Sequence, residues 1–413
     1  MDYYRFPEKR IWKLLFGLFL LLELMLTRSS MAGTLLGFLP SQILMVGIII
    51  LAGMLFLWQN RQNLKAVLTD RRLVAAGVFA AVMLLPMVCK QDWQLMYITI
   101  LLGLLLAVFL SYFVTLEQTA RYYVLLLCAL SVYSLVATYL LRRLPDAGLL
   151  EVPRFINGAG NEYYHFGLAY VSITHVASRN LGVLREPGVY QFFLLVGLYL
   201  ANYTVSWKKE AHMWIATVIL AVTLVSTMAT GGVVALGLYV VIVFFDKKLY
   251  RNRRILLLAV AAVAAGAVVV VISFVKQNSI YWFIYNTLFE KFINRTDSVT
   301  ERADGIVWNL KLFFANPFFG ARLADVLHGV NNNTSSTLIM LSGTGILGGL
   351  LHIAGWIALV WKRERQLWAN LALLLVLFMG FNTQNLTWDL YFWLFPTMAL
   401  LEWGIPRITK GRK

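Results

Sequence analysis

Long apolar runs alternate with short polar segments along most of the chain. An α-helix needs about 20 apolar residues to cross a hydrocarbon core of about 30 Å, and runs close to that length recur from one end of the sequence to the other. We therefore predict an all-α, polytopic integral membrane protein with a single domain over residues 1–413. The predicted spans are 11–27, 41–58, 73–89, 94–115, 122–141, 189–206, 213–229, 232–245, 255–275, 334–361, 367–381 and 389–405.

Two long polar segments, 142–188 and 276–333, interrupt this series, and we predict that both are loops containing short amphipathic helices. In the second, Ser298 and Glu301 have the spacing of a capping box. Apolar residues then recur at helical spacing until Asn316 and Pro317, which predicts a helix over 299–315. Its apolar stripe indicates a helix that lies along the membrane surface or closes over the spans.

The distribution of charge orients the predicted spans. Hydrophobic residues make up 60% of the chain and charged residues 14%, with a net charge of +16. If both termini are cytoplasmic, 23 of the 36 lysines and arginines fall on the cytoplasmic side, as short cytoplasmic loops prefer. Both long loops are then extracytoplasmic. The lysines and arginines of the cytoplasmic side would lie against anionic membrane lipids, and nothing in the pattern indicates a nucleic-acid partner.

Candidate site residues cluster around the first long loop. Pro187 and Gly188 form a turn signal that places Arg185 and Glu186 at the mouth of the next span. Each residue could also have a purely structural role, since a carboxylate is stabilised at a helix N-terminus and an arginine can reach lipid headgroups. Gln191 would add polarity at the same depth, which lipid contact alone does not favour. The candidates from this region are Arg154, His165, Arg179, Arg185, Glu186 and Gln191.

The second long loop supplies a further set of candidates, namely Arg302, Arg322, His328, Asn332 and Asn333. Asparagine side chains offer hydrogen bonds without charge, which suits sugar recognition, although asparagine-rich loops are commonly turns. An arginine on an amphipathic helix is most often a solvated charge, and a lone loop histidine is most often structural. No CxxC, HExxH or P-loop motif is present, so we predict no metal or cofactor.

Three segments together resemble the superfamily of O-antigen ligases and polymerases, in particular its Wzy-type polysaccharide polymerases. Gly182 to Gly188 looks like the family's Gly-x-x-x-Glu-Pro-Gly segment ahead of a span. Arg302 to Trp308, followed by Asn316 to Gly320, is similar to the family's Arg and Trp helix and its Pro-Leu-x-Gly turn. The segment from Thr334 to Gly348 is like the start of the span that follows the family's large loop.

This resemblance implies a GT-C-like glycosyltransferase of the bacterial inner (cytoplasmic) membrane with an extracytoplasmic active site. Its donor and acceptor would be oligosaccharides linked to undecaprenyl diphosphate, and a chain-length regulator and a flippase are candidate protein partners. The chemistry would be metal-independent transfer with inversion, because an arginine can neutralise the departing diphosphate while a base accepts the acceptor's proton. The expected catalytic residues are Arg185, Glu186, Arg302 and His328, and the expected substrate-binding residues are Arg154, His165, Arg179, Gln191, Arg322, Asn332 and Asn333.

Other functions stay open at this stage. O-antigen ligases that resemble this chain carry a His-Asn pair where Thr334 and Ser335 stand here, which favours a polymerase over a ligase. A flippase or another transporter would concentrate charge at mid-membrane, whereas nearly all charges here lie in loops or near the ends of the predicted spans, with Glu23 the exception. A non-enzymatic scaffold would tolerate loss of Arg185, Glu186 and Arg302.

Overall fold

The computed structural model describes residues 10–37, 39–59, 70–156, 160–173, 179–285, 297–330 and 333–403, and the described chain is mostly helical. Its helices are α1 Arg10–Leu26, α2 Met31–Leu36, α3 Leu39–Gln59, α4 Arg71–Cys89, α5 Leu95–Leu110, α6 Leu116–Val136, α7 Arg143–Asp146, α8 Pro187–Tyr203, α9 Glu210–Ser226, α10 Thr230–Asp246, α11 Arg253–Lys276, α12 Ser279–Ile284, α13 Asp297–Ala315, α14 Leu323–His328, α15 Ser336–Val360, α16 Leu367–Phe381 and α17 Leu390–Glu402. A π-helical turn, Ala137–Leu141, extends α6.

Several of these helices are apolar enough to cross a membrane. Four are also long enough, namely α4, α11, α15 and the continuous run Leu116–Asp146 that contains α6. Seven shorter apolar helices accompany them among the described residues. Each of the twelve predicted spans coincides with a described helix to within a few residues, because apolar runs bounded by charged or turn-forming residues leave little freedom in where a helix begins and ends.

The predicted helix of the second long loop is also present, as α13. Its described part begins at Asp297, two residues before the predicted start. The predicted capping box depends on the Ser298 side chain, which lies outside what the structure describes, while the predicted end at Ala315 was right. The helix ends there because Asn316 is followed by Pro317, whose ring cannot continue it.

The first long loop departs from the all-α prediction, which expected short amphipathic helices here. It holds a three-stranded antiparallel sheet, β1 Arg154–Ile156, β2 Glu162–His165 and β3 Tyr170–Ser172, in the order β1-β2-β3. Tyr163 and Tyr170 pack with Met31 of α2, and Val171 packs with Ala137 beyond α6. Aromatic and β-branched side chains favour such paired strands once a helix surface covers one face.

Contacts between loops define two ends of the helix bundle. At the end we name the long-loop end, the backbone N–H of Arg185 donates to Ser29 at 2.9 Å, and that of Asn180 donates to Ser226 at 3.0 Å. At the opposite end, which we name the basic end, Arg365 pairs with Asp246. The core between the two ends runs from Phe16 in α1 to Leu401 in α17.

Candidate functional site

The site is built around the first residues of α8 at the long-loop end. Glu186 is the N-cap residue and Pro187 occupies the first turn, where a missing N–H costs nothing. The exposed Glu186 side chain makes no capping hydrogen bond, and its Oε2 instead accepts one from Nε2 of Gln384 at 2.8 Å. Glu186 is therefore turned away from its own helix and toward the loop between α16 and α17.

Arg185 lies next to a buried carboxylate from that same loop. Asp389 is the N-cap residue of α17 and is fully buried, and the hydroxyls of Thr27 and Ser29 both donate to its side chain, the latter at 2.5 Å. Burial raises the pKa of Asp389, while the two hydroxyls and the charge of Arg185 act in the opposite direction. The Nε atom of Arg185 is buried and has no hydrogen-bond partner among the described residues.

Arg28 brings a second guanidinium group to the same place. It lies between α1 and α2, with its guanidinium carbon 4.1 Å from the centre of the Trp388 ring. Burial lowers the pKa of Arg28, and the like charge of Arg185 lowers it further, while Asp389 opposes both effects. Arg28 and Arg185 therefore both lie close enough to the single buried carboxylate of Asp389 to interact with its charge.

Arg179 and Arg302 approach Glu186 from two other elements. Arg179 precedes α8 and donates to the carbonyl oxygens of Thr227 at 3.2 Å and Met228 at 3.3 Å, just after the end of α9. Arg302 belongs to α13 and makes no hydrogen bond or ion pair with another described side chain. Burial lowers the pKa of both arginines, and the charge of Glu186 raises both, with Glu301 also acting on Arg302.

The resulting arginine cluster consists of Arg28, Arg179, Arg185 and Arg302. These four guanidinium groups face three carboxylates, those of Glu186, Glu301 and Asp389, so the described part of the site carries an excess of positive charge. Guanidinium groups present forked donors that match phosphate oxygens. Among the described residues, no group of three or more His, Cys, Asp or Glu side chains is placed to hold a metal ion.

Gln191 and Asn333, two of the predicted binding residues, are buried near the cluster. The Nε2 atom of Gln191 donates to Thr383 at 2.7 Å, and its Oε1 atom has no hydrogen-bond partner among the described residues. Asn333 exchanges hydrogen bonds with Asn309 at 2.8 and 3.2 Å, so its amide holds α13 in place. Of the two, Gln191 keeps an atom that a ligand could still use.

Four other predicted site residues are not joined to the arginine cluster by any contact among the described residues. Arg154 is exposed on β1 over the ring of Tyr164, and His165 stacks on Tyr170 at 4.7 Å. Arg322 is exposed at the N-cap of α14, and His328 is exposed at its last residue. Asn332 lies outside the described residues.

Three residues of this site were absent from the sequence prediction: Arg28, Gln384 and Asp389. Arg28 and Gln384 lie in short loops between two predicted spans, and Asp389 is the first residue of the last predicted span, 389–405. Arg28 was one of few basic residues placed outside the cytoplasmic set and outside both long loops, which could have singled it out. Asp389 could have been noticed as an acidic residue at the first position of that apolar span.

Comparison of the chain with protein-family models, with curated proteins and with solved structures returned no match in any of the three. The family resemblance therefore stands on the motifs and their order alone.

Proposed function

We propose that this chain is a membrane glycosyltransferase that polymerises oligosaccharide units linked to a polyprenyl diphosphate, such as undecaprenyl diphosphate, into a surface polysaccharide. The observation that carries the proposal is the arginine cluster, which gathers more positive than negative charge at one end of an apolar helix bundle. A diphosphate that remains attached to a lipid has to be bound at such a place, where polar groups meet the membrane surface.

The proposal includes a membrane arrangement. All twelve predicted spans cross the bacterial inner membrane, both termini are cytoplasmic, and the long-loop end is extracytoplasmic. Supporting this arrangement, basic residues gather at the opposite end of the bundle, where Arg121, Lys247 and Arg365 contact the helix ends. Positive charge accumulates in short cytoplasmic loops because it resists translocation during insertion.

The proposed reaction joins two lipid-linked units. The hydroxyl oxygen of the acceptor sugar attacks the anomeric carbon of the donor glycan as the bond from that carbon to the diphosphate oxygen breaks, which inverts the configuration. The electron pair of that bond leaves with the lipid diphosphate, and the acceptor's proton passes to a base. The arginine cluster is suited to stabilising the leaving group because guanidinium groups offset the negative charge that grows on the diphosphate oxygens.

Glu186 is the base that we propose. It is exposed, its Oε2 atom is held by Gln384, and its Oε1 atom accepts no hydrogen bond from another described residue, so that oxygen can face an acceptor hydroxyl. The charge of Glu186 raises the pKa of Arg179 and of Arg302, so both arginines lie near it. His328 was the second candidate base, and its exposed position at the end of α14 gives it no contact with this group.

The family resemblance favours polymerisation over ligation. So do the contacts around Thr334 and Ser335, which stand where the resembling ligases carry a His-Asn pair. Ser335 donates to Asn382 at 2.9 Å, and the neighbouring Ser336 donates to the carbonyl oxygen of Gln384 at 2.7 Å. These hydroxyls therefore hold the loop between α16 and α17 rather than act as a base. A flippase is the less favoured alternative because the cluster lies at one end of the bundle rather than at its centre.

The test is elongation in vitro. The purified protein in liposomes would be mixed with a defined polyprenyl-diphosphate-linked repeat unit carrying a labelled glycan, and the products would be separated by length. We expect a ladder of products with a regular increment and release of polyprenyl diphosphate.

Two other outcomes would point elsewhere. Transfer of one glycan to added lipid A-core, without a ladder, would indicate a ligase. Movement of the labelled unit to the inner leaflet or lumen with no new glycosidic bond would indicate a transporter and contradict the proposal.

A further inference from the structure

The surface of α13 divides into three faces, and the face toward the bundle carries polar contacts. Asn309 is fully buried there, donating to Asn333 at 2.8 Å and accepting from Ser342 at 2.8 Å. Gly305, one turn earlier, is buried on the same face, and Arg302 precedes it by three residues. Leu312 packs against the core from the same side, so the inner face combines polar and apolar contacts.

The outward surface of α13 is half apolar and half polar. Successive residues are rotated by about 100° around an α-helix, so Ile306, Leu310, Phe314 and Val307 form one arc. These four side chains are 44%, 38%, 73% and 65% exposed in that order. The adjoining arc holds Thr300, Lys311 and Asp304, all exposed. Exposed apolar and polar arcs side by side are typical of a helix lying in a membrane interface.

The turn that follows α13, residues 316–322, packs against α15 well past the first residue of that helix. Helix α15 is broken at Gly345, which has φ of +66° and ψ of −165°. The N–H of Ile346 donates to the carbonyl of Pro317 at 2.8 Å, and the N–H of Ala321 donates to that of Ser342 at 2.6 Å. Gly345 is nine residues after the start of α15 at Ser336, which at 1.5 Å per residue is about 13 Å along the helix.

Backbone groups of this turn are paired with protein atoms. Gly320 N–H donates to Asn316 at 2.9 Å, Lys90 Nζ donates to the carbonyl of Ala321 at 2.9 Å, and Leu323 N–H donates to Asp92 at 2.5 Å. Irregular backbone is tolerated at membrane depth only when its polar groups are satisfied in this way. At the tip, Phe318 is 70% exposed, although it is large and apolar.

We propose that the lipid-facing arc of α13, Ile306, Val307, Leu310 and Phe314, together with Phe318, docks into the bilayer at the boundary between headgroups and acyl chains. The polar arc faces water, and this seating holds Arg302, on the inner side of the same helix, against Glu186. The occupant is lipid rather than a protein because the exposed apolar surface continues into a turn at membrane depth. The link to Arg302 rests on the proposed function, whereas the seating does not.

The seating is tested by spin labelling in proteoliposomes. Cys89 and Cys128 would be replaced by alanine, and single nitroxide labels would be placed with Val307→Cys and Phe314→Cys. Matched labels on the polar arc would use Asp304→Cys and Lys311→Cys. Collision rates with oxygen, which concentrates in lipid, would be compared with those of a water-soluble nickel chelate. We expect oxygen to dominate at 307 and 314, and the nickel chelate to dominate at 304 and 311.

Two results would overturn the seating. Dominance of the nickel chelate at all four positions would place the apolar arc in water. Protection of 307 and 314 from both reagents would show that a protein surface covers the arc.

The link to the site is tested with lipid-linked substrate. Phe314→Glu should lower glycan transfer at least tenfold while Phe314→Leu keeps it, and Asp304→Asn should leave it unchanged. Full transfer by Phe314→Glu would overturn the link to Arg302 without affecting the spin-label result. Full transfer by Arg302→Ala would instead contradict the proposed function.

Discussion

The two ends of the helix bundle carry the same kinds of basic side chain in different surroundings. At the basic end, Arg365 pairs with Asp246 at 3.4 Å and lies 4.3 Å from the centre of the Tyr203 ring. At the long-loop end, Arg185 and Arg302 form no ion pair with a described residue, although both are partly buried and lie near carboxylates. Arg365 at the basic end therefore has a carboxylate partner in the chain, whereas Arg185 and Arg302 at the long-loop end have none among the described residues.

This difference distinguishes basic side chains that stabilise the fold from basic side chains that are available to bind an anionic ligand. A buried cation without a close partner has a cost in stability, so a fold that gathers several of them gains nothing from them until an anion binds. Arg185 and Arg302 fit this description, because neither forms an ion pair with a described residue. Substitutions at either end of the bundle test this difference.

The largest effect on stability is expected at the basic end. Arg365→Ala would leave Asp246 buried without its partner, and breaking a buried pair typically costs about 3–5 kcal/mol. The side chains of this pair are only 8% and 14% exposed, so solvent screens them little. We expect a much lower thermal unfolding midpoint in detergent, with the exposed Arg363→Ala as the unchanged control. An Arg365→Ala protein of normal stability that has lost transfer would contradict our assignment of this end to the fold.

The next effect concerns catalysis at the long-loop end. Arg185→Ala and Arg302→Ala should each lower the rate of glycan transfer by about 10² to 10³-fold, the usual loss when one preorganised donor to a developing anion is removed. Their thermal midpoints should stay the same or rise, because each substitution removes an uncompensated charge. Arg143→Ala, an exposed arginine after α6 in the same long loop, is the matched control. Rates within threefold of wild type in both variants would sink the proposed role of the cluster.

A loss of similar or smaller size is expected at the proposed base. Glu186→Gln keeps the shape of the side chain and its contact with Gln384 but cannot accept a proton, so transfer should fall by about 10²-fold or more. The affinity for the lipid-linked donor should change little, which a binding assay in detergent would show. Glu151→Gln, an exposed carboxylate in the same loop, serves as control. Retention of wild-type turnover by Glu186→Gln would direct attention to another base.

The helices of this protein could be predicted from its sequence, because an apolar run of membrane length allows few alternatives. The start of α8 was marked by Pro187 and Gly188, so Arg185 and Glu186 were placed correctly at a helix mouth. The sheet in the first long loop could not be predicted. Its strands are only three or four residues long, and they depend on packing with Met31 and Ala137, which are distant in the chain.

The candidate site was predicted only in the parts that carry local signals. Asp389 meets Thr27 across a separation of 362 positions, and no spacing rule connects residues so far apart. Arg28 and Gln384 lie in short loops that read as plain connections between spans. Conversely, His328 and Arg322 were chosen for their chemistry, and the fold of α14 leaves both exposed. The side-chain types in a sequence indicate which residues could belong to a site. The packing of the helices determines which of them come together.

The smallest predicted effect is on anion binding, which compares the two ends of the bundle without an assay of glycan transfer. Inorganic pyrophosphate should bind the arginine cluster and stabilise the protein by about 1.4 kcal/mol at ten times its Kd, the amount expected for a ligand that binds only the folded state. Thermal unfolding in detergent at increasing pyrophosphate and constant ionic strength would measure this. Arg28→Ala and Arg185→Ala should abolish the stabilisation, whereas Arg251→Ala, at the basic end, should retain it, since α10 and α11 flank that residue far from the cluster. Equal stabilisation of all three variants would mean that the anion binds basic residues in general, and the two ends would no longer differ in what they recognise.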